Sequence, residues 1–272
     1  MMNSSTTTNP KGSFIWYELM TSDPDGAARF YGAVVGWTIA AHSDPAASGG
    51  VDYRMIVRGD GGHAGGVLAL NADMLAGGAR PAWMGYLYTP DVDGTIAAIE
   101  ADGGKLHMPA TDLPVGRIAM VTDPQGAPFY IMNPIPPAGK EDMDSDAFSV
   151  TEAQHVRWNE LSTSDPEAAI AFYRKHFGWG QEGAMDMGAM GQYRFLQVGE
   201  VGIGAVMPMM PDMPAPAWTF YIGVDDIDRA KAAIEAEGGT LVNGPMEIPG
   251  GEYAMNGIDP QGAAFGLVGP RK

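Results

Sequence analysis

Glu18 and Glu160 are the residues whose setting could do acid–base chemistry. Each stands two positions after a tryptophan in a strand-like run, W-Y-E-L in one case and W-N-E-L in the other. Side chains two apart share a strand face, so Trp16 lies beside Glu18 and Trp158 beside Glu160. A carboxylate on an inward face next to an indole is desolvated, and its raised pKa suits a general acid or base. The alternative is structural: each carboxylate is held by backbone N–H groups or by Arg54 and Arg194, which recur in register as Tyr53-Arg54 and Tyr193-Arg194. Other chemistry is restricted. The chain has no cysteine, which removes disulfides, thiolate nucleophiles and Cys-based metal sites. Its five histidines are scattered; His63 and His107 fall near strands of one half, and neither recurs in the other half. His176, beside Lys175 on a helix, is expected in solvent.

The elements that position these residues are written twice. Residues 16–37 and 158–179 align without a gap at a constant offset of 142. About half of the positions are identical, which marks an internal duplication. Each copy reads as a strand, a turn and a helix. Asp23 and Asp165 are N-caps, Pro24 and Pro166 take the first helical position, and Gly36 and Gly178 stop the helices. Three strands follow. A second unit then runs strand, helix (capped by Asp91) and three strands, with residues 71–80 as a polar connection before it. P-A-W at 81–83 returns at 216–218, A-A-I-E-A at 97–101 returns at 232–236, and D-P-Q-G-A at 123–127 returns at 259–263. The fold class is therefore α+β: two tandem domains, each of paired βαβββ units forming a curled, mostly antiparallel sheet around a cavity with helices outside. The domains are predicted at 14–135 and 155–270, joined by an acidic, Pro-containing linker, 136–154, read as a solvated spacer. The Met-rich run 207–213 reads as a connecting loop or a lid.

The formal charge of −17 argues against nucleic acid and anionic membrane as partners. No apolar run approaches the roughly 20 residues of a membrane span. The polar start, 1–13, reads as a disordered tail without a signal peptide's apolar core. A cytoplasmic protein, monomeric or weakly homodimeric, with a small-molecule ligand is expected.

The F-Y-x-x-x-x-G-W helix ends, T-S-D-P helix starts and D-P-x-G turns give the chain a resemblance to the vicinal oxygen chelate superfamily, which holds glyoxalases, bleomycin-resistance proteins and extradiol dioxygenases. The resemblance covers nearly all of 14–269. It implies the fold, and it implies where metal ligands would stand. Those positions are Trp16, Met84 and Tyr130 in one half, and Trp158, Thr219 and Gly266 in the other. These residues bind divalent metals poorly or not at all, so no metal and no other cofactor is expected. If those positions face a cavity, so do Glu18, Met20, Tyr86 and Tyr88, and so do Glu160, Ser162 and Tyr221. The candidate catalytic residues are Glu18 and Glu160. The candidate substrate-binding residues are Trp16, Met84, Tyr86, Tyr130, Trp158, Thr219 and Tyr221. The function expected is small-molecule binding in an apolar, aromatic cavity, as in the bleomycin-resistance branch. The alternative is a lyase, isomerase or dioxygenase using Glu18, Glu160 or a relocated metal site.

Overall fold

The computed structural model describes residues 9–43, 50–136, 139, 143–211 and 213–272. Parts of the expected N-terminal tail, of the turn after His42, of the linker and of the Met-rich run lie outside the described residues. The first half runs β1 (Phe14–Thr21), α1 (Pro24–Val35), β2 (Thr38–Ile39), β3 (Tyr53–Val57), β4 (His63–Ala69), α2 (Ala72–Ala76), β5 (Ala82–Tyr88), α3 (Val92–Ala101), β6 (Lys105–Leu113), β7 (Gly116–Thr122) and β8 (Pro128–Pro134). The second half runs β9 (Val156–Thr163), α4 (Pro166–Phe177), β10 (Gly180–Asp186), β11 (Gln192–Val198), β12 (Val201–Pro208), β13 (Ala217–Gly223), α5 (Ile227–Ala236), β14 (Thr240–Glu247), β15 (Tyr253–Ile258) and β16 (Ala264–Gly269). Each half forms a mixed eight-stranded sheet, in the orders β2-β3-β4-β1-β5-β8-β7-β6 and β10-β11-β12-β9-β13-β16-β15-β14. The pairings β1–β4, β5–β8 and β13–β16 are parallel, because a helix separates the first and last strands of each βαβββ unit.

The helices start where their caps dictate. Asp23, Asp91 and Asp165 accept from the backbone N–H of Gly26, Gly94 and Ala168 at 2.9, 2.9 and 3.0 Å. Helix α2 was not expected. Asn71 caps it, yet none of its five residues is buried, so it has no apolar face to leave a helical period in the sequence.

Two compact units draw from both halves. One, the α1–α5 unit, comprises Trp16–Met84, Asp146–Asn159 and Thr219–Lys272. The other, the α3–α4 unit, comprises the chain up to Ile15 with Gly85–Ser145 and Glu160–Trp218. Each is closed by the same buried lock. In the α1–α5 unit the Trp83 indole donates to the Tyr31 hydroxyl at 2.9 Å, which donates to Asp259 at 3.1 Å. The other Asp259 oxygen accepts from the backbone of Gln261, Gly262 and Ala263. In the α3–α4 unit Tyr173 donates to Asp123 at 3.2 Å, Trp218 stands edge-on to Tyr173, and Asp123 accepts from Gly126 and Ala127. Burial lifts the carboxyls of Asp123 and Asp259 above the usual range and holds both tyrosine hydroxyls well above theirs. The repeated F-Y, P-A-W and D-P-Q-G motifs are thus the three parts of one duplicated lock.

The α1–α5 unit also joins a residue to its own repeat counterpart. Tyr17, fully buried, donates to Asn159 at 2.8 Å, 142 positions on. Most of the described linker residues are exposed, and Asp146 and Gln154 among them make side-chain bonds within the α1–α5 unit. Asp146 pairs with the buried Arg58 at 2.5 Å. The Gln154 amide donates to Val35 and Gly36 at the end of α1 and accepts from the Gly59 N–H at 2.6 Å. His176 is buried as well: its ring meets Asp102 at 2.8 Å, beside Lys175, and burial lowers its pKa.

Candidate functional site

Glu18 sits on β1 of the α1–α5 unit, directly beside Gly66 of the parallel strand β4, and is 2% exposed. Tyr53 of β3 lies across Gly66. A Cβ there would come within 2.3 Å of the Tyr53 hydroxyl, so this close approach requires glycine. The Tyr53 hydroxyl accepts from the Trp16 indole at 2.7 Å, and Trp16 is edge-on to His63. Arg54 does not serve Glu18. It points to the helix side, where it holds Asp52 with two N–H groups and Asp25 at 2.6 Å. Arg54 in turn holds both carboxyls below their usual range. In the α3–α4 unit Arg194 likewise goes to Glu167, on the first turn of α4. The structural pairing considered for Glu18 and Glu160 is therefore made by other carboxylates. Strand alternation explains this: residues 54 and 194 face away from residues 53 and 193.

Glu160, on β9 in the α3–α4 unit, is half-buried, and the Tyr193 hydroxyl donates to its Oε2 at 2.8 Å. Tyr193 stands edge-on to Phe195 at 6.0 Å between ring centres. A phenol held on a carboxylate can pass or receive a proton, or offer a paired donor and acceptor to a ligand hydroxyl. The Tyr193–Glu160 bond was not expected from the sequence, in which the recurring Tyr-Arg pair pointed to its arginine. The recurrence at strand spacing was the available signal.

The other candidates divide by exposure. In the α3–α4 unit Tyr86 and Tyr130 are register partners whose rings stack at 4.3 Å and 11°, each 5% exposed. In the α1–α5 unit Met84 is 2% exposed, while Trp16, Trp158, Thr219 and Tyr221 are half-buried. Tyr221 shares hydrogen bonds with Asn256 and lies over Gly266, where a Cβ would come 2.5 Å from its ring.

The positions at which the resemblance places metal ligands do not fit a divalent ion. The Trp16 indole N–H is a donor already spent on Tyr53. Tyr130 is stacked, and the space over Gly266 is taken by the Tyr221 ring. Among the described residues no three His, Asp or Glu side chains are grouped to hold a metal.

The family model for the glyoxalase/bleomycin resistance protein/dioxygenase superfamily matches residues 13–131 and again 153–267. The chain belongs to this superfamily. It is similar to "Putative glyoxylase CFP32" of Mycobacterium tuberculosis, with 34% identity covering 96% of this chain and 95% of that protein. It is also similar to the anthracycline biosynthesis protein DauV of a Streptomyces species, with 29% identity covering 94% and 93%. Among solved structures, the Mn(II)-bound glyoxalase of Novosphingobium aromaticivorans aligns at a TM-score of 0.61 with 15% identity, covering 97% of this chain and 83% of that one. That likeness is one of fold. The superfamily carries several chemistries on one scaffold, so function is argued from the residues.

Proposed function

We propose that this superfamily member binds a small planar organic molecule without a metal at the inherited positions, and that Glu160 with Tyr193 is its polar contact. The observation that carries the reading is the 2.8 Å Tyr193–Glu160 bond at a half-buried carboxylate, set against a Glu18 that is 2% exposed. The charge of −17 opposes anionic ligands and favours neutral or cationic ones. The similarity to an anthracycline biosynthesis protein supports a hydroxylated aromatic, whose phenol would donate to Glu160.

A second reading has the same pair as acid and base. In it Glu160 takes a proton from the ligand and the Tyr193 hydroxyl hydrogen-bonds the oxygen that gains charge.

The test is a fluorescence titration of the intrinsic tryptophans with neutral 1,8-dihydroxyanthraquinone, with and without EDTA. Saturable quenching, unchanged by EDTA, is expected. Absence of saturation, or loss of binding on chelation, contradicts the reading. Turnover of the methylglyoxal–glutathione adduct that stops on chelation also counts against it.

A further inference from the structure

A cleft of about 450 Å³ opens in the α1–α5 unit at the C-terminal end of α1. Its walls are the last turn of α1, the turn between β3 and β4, residues 152–155 ahead of β9, and the start of α5. The segment ahead of β9 is held in an unusual shape. Gln154 takes a φ of 64°, in the left-handed region that residues with a Cβ rarely occupy, and backbone strain of this kind clusters at ligand sites. Every polar group of Gln154 is engaged. Its N–H donates to the Gly223 carbonyl at 2.7 Å, its carbonyl accepts from the Trp37 indole at 2.8 Å, and its side-chain amide bridges the end of α1 to Gly59. That clamp fixes the next residue. His155 is 7% exposed, and its Nδ1 lies 2.9 Å from the Ala153 carbonyl. A carbonyl only accepts, so Nδ1 carries a proton, and in the neutral ring the lone pair stands on Nε2. Among the described residues Nε2 has no hydrogen-bonding partner. His155 lines the cleft, and its ring is near enough to Asp60, another wall residue, to add to what the Gly62 N–H and Arg58 do in holding that carboxyl below its usual range.

The charge of the walls selects the donor that would meet this nitrogen. Arg58 spends its guanidinium on Asp60, Asp146 and the His63 carbonyl, and Arg229 spends its own on Asp225 and the carbonyls of Ala33 and Val34. These two arginines stand against three wall carboxylates, Asp60, Glu152 and Asp225, and the negative end of the α1 dipole adds to the carboxylates. An anion is opposed there. A divalent metal is not served, since no three His, Asp or Glu side chains are grouped to hold one among the described residues. An organic cation that carries N–H donors satisfies both the open nitrogen and the charge. We propose that this cleft is a second ligand site, which takes a small organic ammonium ion whose N–H donates to His155 Nε2 while Glu152 and Asp225 balance its charge. The site is independent of the Glu160–Tyr193 pair, which belongs to the other unit.

The experiment titrates benzylammonium into the intact protein and follows the assigned His155 imidazole resonance by NMR. Benzyltrimethylammonium, which keeps the charge but has no N–H, and neutral benzyl alcohol are the controls. A saturable movement of the His155 resonance is expected, with an affinity for benzylammonium several-fold above that for either control. Isothermal titration then reads the variants. His155→Asn keeps a donor at the place of Nδ1 and lacks an acceptor at the place of Nε2, so it is expected to weaken binding about tenfold. His155→Gln brings an amide oxygen near the place of Nε2 and is expected to retain most of the affinity. Glu152→Gln is expected to weaken binding several-fold, and Glu160→Gln to leave it unchanged. A His155 resonance that does not move saturably overturns the proposal. So does undiminished binding in a folded His155→Asn protein, which would show a cation held by general negative charge alone. Should His155→Asn not fold, the parent protein decides: higher affinity for benzylammonium than for benzyltrimethylammonium supports the proposal, and equal affinity overturns it.

Discussion

Tyr31→Ala should destabilise the protein by about 3–5 kcal/mol, the range for removing a large aromatic from a packed core. Tyr31 is fully buried, and its ring packs edge-on against Trp83, Phe30 and Phe265. Its hydroxyl links the Trp83 indole to Asp259, so truncation also strands two buried polar groups. Tyr31→Phe separates the contributions. It keeps the packing and loses only the hydroxyl, at a cost of about 1–3 kcal/mol. The duplicated lock predicts the same order for Tyr173→Ala and Tyr173→Phe, because Tyr173 meets Asp123 in the same way. Urea unfolding followed by tryptophan fluorescence and circular dichroism measures all four. A Tyr31→Phe protein as unstable as Tyr31→Ala would show that the hydrogen bonds, not the packing, carry the lock.

Glu160→Gln should weaken dihydroxyanthraquinone binding by about 10- to 100-fold, the size expected when a hydrogen bond to a charged group is reduced to a neutral one. Stability should change by less than about 0.5 kcal/mol, as for other substitutions away from the core. Glu18→Gln should do the opposite. Its carboxylate is 2% exposed, so the variant is expected to lose about 1–3 kcal/mol of stability and to bind the anthraquinone as the parent does. Isothermal titration and urea unfolding of both variants read the contrast. Binding lost only in Glu18→Gln would move the working carboxylate to the first half.

Much of this fold was legible in the sequence because duplication prints every local signal twice. The aspartate caps, the strand alternation and the D-P-Q-G turns each depend on neighbours within a few residues, so the chain carries them openly. The partnerships of the lock were not legible. Tyr31 meets Asp259 across 228 positions, and no local pattern specifies a partner so distant. The partner of Asp146 was hidden for a related reason: an acidic run near prolines has the composition of a solvated spacer, and nothing local marks one member of it as the counter-ion of a buried Arg58. At the candidate site, the face carrying each glutamate followed from period two. The destination of each arginine did not, since Asp25 and Glu167 come from helices that fold back over the strands.

This superfamily scaffold is proposed to hold its ligand through side chains, with no metal at the inherited positions. Native mass spectrometry of the protein, purified without chelator or added metal, tests it most directly. A mass equal to the polypeptide, alone or with an organic adduct that is lost in Glu160→Gln, is expected. Stoichiometric manganese, iron, zinc or nickel, released by Trp16→Ala or Trp158→Ala in a folded protein, would contradict it.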